Sequence, residues 1–125
     1  MYSGRLKLNG EENEATIRAV YNYAYSLIIL ERFEEAKALL LKAMPIARRV
    51  LGDNDRLTLK LRCNYAVVLY KADGATLDDL REAVTTLEDS DRIARRVFGG
   101  AHPFSVSSEH YLRNARAMLR AREGA

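Results

Sequence analysis

Ala47-Arg48-Arg49-Val50-Leu51-Gly52 returns as Ala94-Arg95-Arg96-Val97-Phe98-Gly99, so that Gly52 finds its counterpart 47 residues on at Gly99. The match spreads outward. Asn22-Tyr23-Ala24 reappears 42 residues later as Asn64-Tyr65-Ala66, with Thr16 answering Thr58 and Leu27 answering Leu69. A period of this length belongs to stacked supersecondary units rather than to one globular core. The two offsets differ by about five residues, which puts an insertion at 71–76 on one edge of the second unit.

Residues 1–12 hold Gly4, Asn9 and Gly10 but only Leu6 and Leu8 as apolar anchors, and read as a lead-in segment. Asn13 then caps a helix whose apolar residues Ile17, Val20, Tyr23, Ala24 and Leu27 fall at steps of three and four. After the short turn Leu30-Glu31-Arg32, Phe33, Ala36, Leu39, Leu40, Ala43, Ile46, Ala47 and Val50 continue the same period in a second helix. Pro45 lies inside it and deletes the bond to the Leu41 carbonyl, so a kink is expected there, without a break. Gly52 supplies a left-handed stop, and Asp55 opens a third helix through Leu59, Asn64, Tyr65, Ala66, Leu69 and Tyr70. Thr76 caps a fourth, with Asp78 and Asp79 at the positive end of its dipole and Leu80, Ala83, Leu87, Ile93, Ala94 and Val97 along one side. His102-Pro103 begins a fifth, where proline at the first helical position sacrifices no donor. Its apolar stripe is Val106, Leu112, Ala115 and Leu119, while Arg113, Arg116, Arg120 and Arg122 keep the rest wet, as a terminal capping helix requires.

With 48% hydrophobic and 30% charged residues, the 125-residue chain has an ordinary globular balance that argues against disorder. Few prolines and glycines against abundant Ala, Leu, Glu and Arg favour helix throughout, and no sheet is expected. The net charge of +3 is a mild surplus of 20 basic over 17 acidic residues. No basic run stands in register with aromatic rings, so nucleic acid is not an expected partner. Cys63 is the only cysteine, which excludes an intrachain disulfide and points to a reducing, cytoplasmic setting. Met1–Lys7 lacks the apolar core of a signal peptide, and the longest apolar run, Leu27–Leu30, is too short to cross a bilayer, so no membrane association is expected.

The recurring motifs resemble a tetratricopeptide repeat array, in particular the longer repeats of kinesin light chains, over residues 13 to about 119. A unit of that kind opens on Gly-x-x-His-Pro-x-Thr, matched by Gly52–Thr58 and by Gly99–Ser105. Its Asn-Asn-Leu-Ala signature appears as Tyr21-Asn22-Tyr23-Ala24 and Cys63-Asn64-Tyr65-Ala66. Its Gly-Arg-Tyr-Glu-Glu-Ala turn appears as Glu31-Arg32-Phe33-Glu34-Glu35-Ala36, and its Leu-Gly close as Leu51-Gly52 and Phe98-Gly99. Small residues at close helix approaches (Ala24, Ala36, Ala43, then Ala66, Ala83, Ser90) and large ones where neighbours interlock (Tyr23, Leu27, Leu40, then Tyr65, Leu69, Leu87) fit that packing. Tyr23 and Tyr65 are expected in the core. The third unit departs from the pattern at Tyr111-Leu112-Arg113.

The resemblance implies an all-α fold, a right-handed α-α superhelix of about two hairpins with a C-terminal capping helix. It divides residues 13–125 into unit one at 13–52, unit two at 55–99 and the capping helix at 103–123. It further implies a protein–protein interaction scaffold whose first helices line a concave surface that takes a peptide or helix of another protein. The partner-binding residues expected there are Arg18, Tyr21, Asn22 and Tyr25, then Lys60, Cys63, Asn64, Val67 and Lys71, then Ser107, His110, Tyr111 and Asn114. Arg18 and Lys60 suit carboxylates, the asparagines a ligand backbone and the tyrosines flat apolar contact, so an acidic, extended partner is preferred. Asn22 and Asn64 have an equal alternative in bonding to neighbouring helices. The chain's own unpaired ends leave a homo-oligomer, or a place in a longer array, as the second reading.

No catalytic, cofactor or metal site is read from the sequence. His102 is explained by capping, and His110 has no second ligand at metal spacing. Glu34-Glu35 and Asp78-Asp79 occupy first helical turns, where the dipole accounts for them. Nothing in the sequence activates Cys63 as a nucleophile, and the doublets Arg48-Arg49 and Arg95-Arg96 read as solvated faces with local ion pairs.

Overall fold

The fold, seen in a computed structural model that describes residues 13–124, consists of five helices: α1 (Glu14–Ile29), α2 (Phe33–Val50), α3 (Arg56–Lys71), α4 (Leu77–Phe98) and α5 (Pro103–Glu123). No strand occurs among the described residues. The lead-in expected at 1–12 lies outside them. Two compact units divide within α3, one ending at Leu61 and the other beginning at Arg62.

In the first unit, the Asn13 side chain accepts from the Thr16 amide at 3.0 Å and starts α1. Ile17, Val20, Ala24 and Leu27 form its buried stripe, and α1 packs on α2, whose buried residues are Ala36, Leu40, Ala43 and Ala47. The alanines let the two backbones approach while Leu40 fills the space between turns; burying such a leucine contributes about 1.5–3 kcal/mol. Between the helices, the Arg32 amide donates to the Leu27 carbonyl at 2.8 Å and the Glu31 amide to the Ile28 carbonyl at 2.9 Å. This is a Schellman close, and it forces Glu31 to a φ of +59°. α2 continues unbroken through Pro45, which is exposed, as is Leu41, whose carbonyl loses its helical donor on the wet side. Gly52, at φ +94°, follows the last turn and donates to the Arg48 carbonyl at 3.1 Å. Asp55 Oδ1 accepts from the Leu57 amide at 2.8 Å to open α3, and Thr58 Oγ1 donates a long bond of 3.4 Å to the Ala47 carbonyl of α2.

In the second unit, Tyr65 through Tyr70 are buried without interruption. A stretch that is apolar on all sides of the helix is one meant for an interior, and it ends at the exposed Lys71. Arg62 reaches Asp89 of α4 at 2.7 Å, and the Tyr65 hydroxyl donates to Glu82 at 2.8 Å. Thr76 and Asp79 complete a reciprocal capping box at the start of α4. α4 packs on α5, with Ser90, Ser105 and Ser108 fully buried as small residues and Leu112 and Ala115 beside them. His102 Nδ1 accepts from the Phe104 amide at 3.0 Å, with Pro103 at the first position of α5.

Three expectations are corrected. Tyr23 is not core: it is 45% exposed, whereas its counterpart Tyr65 is 6% exposed. On α1 the seam with α2 is taken by Ile17, Val20, Ala24 and Leu27, and Tyr23 falls beside it, whereas on α3 every residue from Tyr65 to Tyr70 is buried. Val106, assigned to the apolar stripe of α5, is exposed, and Ser105 and Ser108 take the inward positions. Arg122 does more than keep the surface wet, since its guanidinium donates to the Ala75 carbonyl of the inserted loop at 2.9 Å.

Candidate functional site

α1 and the start of α3 bring the expected residues of the first unit together. Lys60 Nζ stands 5.3 Å from the Tyr21 ring centroid, within reach of a cation–π attraction. Tyr21 in turn stacks against Tyr25 one turn along α1, with centroids 6.4 Å apart and planes 20° from parallel. Tyr25 and Asn22 are exposed, and Tyr21 and Lys60 half-buried. Arg18 extends the same face while paired with Glu14. The result is a flat aromatic step with a cation above it and an exposed amide at its side.

The second unit arranges its residues differently. Lys71 and His110 are exposed, while Asn64, Tyr111 and Asn114 are half-buried. Asn114 Nδ2 lies 3.3 Å from His110 Nε2, and the His110 and Tyr111 rings are 5.9 Å apart. Burial pushes the Tyr70 phenol above its ordinary pKa, partly opposed by the nearby Asn114 side chain. Asn64 Nδ2 is a buried donor with no hydrogen-bond partner. Cys63 and Val67, expected on this surface, are buried at 3% and 6% exposure and have no side chain to offer a partner. Their small and branched side chains fill the interior instead. Ser107 is exposed.

Residues 15–76 match the family model of the tetratricopeptide repeat. That segment is a tetratricopeptide-repeat segment. The matched span takes in α1, α2, α3 and the inserted loop up to the Thr76 cap of α4. Neither a curated protein nor a solved structure matches the chain. Tetratricopeptide repeats generally mediate protein–protein interaction.

Among the described residues of this repeat protein, no group of three or more His, Cys, Asp or Glu is placed to hold a metal ion, and no helix is long and apolar enough to cross a membrane. The arginine doublets behave as solvated faces. Arg48 pairs with Asp53 at 2.7 Å, and Arg95 pairs with Asp91 at 2.9 Å and Glu109 at 3.0 Å. Sequence reasoning missed Arg62, whose side chain is only 15% exposed against Asp89 on the next repeat helix. Nothing local marks that contact, because its partner lies 27 residues away.

Proposed function

We propose that this protein is a non-catalytic scaffold that binds a peptide or helix of a partner protein on the faces of its first repeat helices. In the first unit the surface comprises Arg18, Tyr21, Asn22, Tyr25 and Lys60; in the second it comprises Asn64, Lys71, His110, Tyr111 and Asn114. The observation that carries this reading is Lys60 over the stacked pair Tyr21 and Tyr25, joining residues from α1 and α3 in one accessible patch. A cation above an aromatic step favours an acidic residue of the ligand beside an apolar one. Repeats of the kinesin-light-chain kind are part of the proposal, supported by the recurrence of Leu51-Gly52 as Phe98-Gly99 and by the unit bounds 13–52 and 55–99. So is a cytoplasmic setting, supported by the unpaired, buried Cys63.

Fluorescence anisotropy with labelled acidic peptides of varied sequence, and with lysine-substituted versions of the same peptides, tests the proposal. Binding is expected for the acidic set and not for its basic counterpart. Lys60→Glu and Tyr21→Ala are each expected to weaken it at least tenfold, which corresponds to about 1.4 kcal/mol. If no acidic peptide binds, or if Lys60→Glu leaves the affinity where it was while the helical circular dichroism is intact, the reading fails.

A further inference from the structure

The link between α3 and α4 turns on itself, with the Ala75 amide donating to the Ala72 carbonyl at 3.1 Å and Asp73 and Gly74 as the two central, exposed residues of the turn. The backbone does not ask for glycine there. Gly52 and Gly99 hold φ at +94° and +89°, but Gly74 lies outside the left-handed range, and a Cβ built on it would meet nothing within 4 Å. What glycine changes is the reactivity of its neighbour, because no Cβ crowds its amide nitrogen. Among the described residues the Gly74 amide donates no hydrogen bond, and the Asp73 carboxyl accepts none and joins no ion pair. Every other aspartate or asparagine among them precedes a residue with a side chain.

We propose that Asp73 is a site of spontaneous isomerisation to isoaspartate. The Gly74 amide nitrogen attacks the side-chain carboxyl carbon of Asp73, a C–N bond forms, and the carboxyl oxygen leaves with the amide proton as water. Water then opens the cyclic imide at either carbonyl. Attack at the side-chain carbon restores aspartate. Attack at the backbone carbon breaks the original peptide C–N bond, so that the chain runs through the side-chain carbon and the backbone carboxyl becomes the free acid. One water is lost and one gained, and the charge is unchanged, but the backbone is longer by one methylene. That extra length enters just ahead of the Ala75 carbonyl, which Arg122 holds at 2.9 Å, and of the Thr76–Asp79 capping box. Hydrogen bonds of this kind tolerate little displacement, so isomerisation loosens the start of α4.

The test ages the full chain in water enriched in heavy oxygen and digests samples with trypsin, which cuts after Lys71 and Arg81 and frees residues 72–81. The expected result is a second chromatographic form of that peptide, carrying heavy oxygen, whose fragment ions place isoaspartate at Asp73 and not at Asp78 or Asp79. Gly74→Ala, which the backbone accommodates, is expected to slow its appearance several-fold, and Asp73→Ser to abolish it. The urea midpoint of the wild type is expected to fall further on ageing than that of Gly74→Ala aged beside it. Asn9-Gly10, which closes the same imide with loss of ammonia, serves as the clock. If Asn9 has converted while Asp73 stands unchanged, the proposal is overturned, as it is if Gly74→Ala isomerises at the wild-type rate. Equal falls in the two midpoints, with isoaspartate present in the wild type alone, would overturn the loosening of α4.

Discussion

Cys63 carries the chain's one thiol into the interior of α3. Burial pushes it from an ordinary 9.0 up to about 12, against the opposing pull of the Arg62 guanidinium, with Asp91 adding to the rise and the Ser108 hydroxyl offsetting it. The thiol ionises near pH 9 in the unfolded chain but stays neutral in the folded one, so stability is full below pH 9 and declines as the pH rises toward 12. The loss from this group amounts to about 1.4 kcal/mol by pH 10. Urea denaturation of the wild type between pH 8 and pH 10 is expected to register that decline, and Cys63→Ala is expected to flatten it. An equal slope in both proteins would show that another group is responsible. Tyr65, raised to about 12 by burial and by its bond to Glu82, adds its own loss only above pH 10. The contrast between Tyr65 and Tyr23 marks a limit of the sequence at this scale. The two share a motif, but whether each ring is buried depends on what covers that side of its helix, and the motif does not carry that information.

Helix ends were the most legible feature of the elements. Asn13, Thr76 with Asp79, His102 before Pro103, and Gly52 all do locally what their chemistry requires, because capping is decided within a turn of chain. The α1–α2 turn is different. Its sequence reads as a short link, yet its bonding imposes a left-handed conformation on Glu31, a residue with a Cβ. Glu31→Gly removes that steric cost, less the extra entropy glycine has when unfolded, and is expected to stabilise the protein by about 0.5–1 kcal/mol. The check is a higher urea midpoint at unchanged slope; an unchanged or lower midpoint would mean that the Glu31 side chain contributes more than its backbone strain costs. The inserted loop was visible as a difference of spacing, but its anchoring by Arg122 was not, since that bond joins residues 47 apart in the chain. Helical phase places Tyr21 and Tyr25 on one face of α1, but their nearness to Lys60 is a tertiary contact, and Cys63 and Val67 are interior because α3 is buried on more sides than a two-faced helix allows.

Across the molecule, charge is arranged in short pairs rather than fields. Arg116 meets Glu88 at 3.0 Å, Arg95 meets Asp91 and Glu109, and Arg48 meets Asp53, so much of the basic charge is offset locally and the net surplus is only +3. Among the described residues these pairs leave little basic charge for a phosphate backbone to follow, and gel-shift titration with duplex DNA at physiological salt is expected to show no complex. A retarded band whose affinity falls steeply with added salt would contradict this. The uninterrupted interior position of Tyr65–Tyr70 has another side. Outside the fold, Tyr-Ala-Val-Val-Leu-Tyr is an uncharged hexapeptide rich in β-branched and aromatic side chains and free of proline, a composition suited to cross-β stacking between chains. Arg62 and Lys71 stand just outside it as electrostatic gatekeepers. The helix most thoroughly withdrawn from water is therefore the segment most prone to seed aggregates once heat or synthesis leaves it uncovered, and solubility during expression depends on how quickly its neighbours close over it.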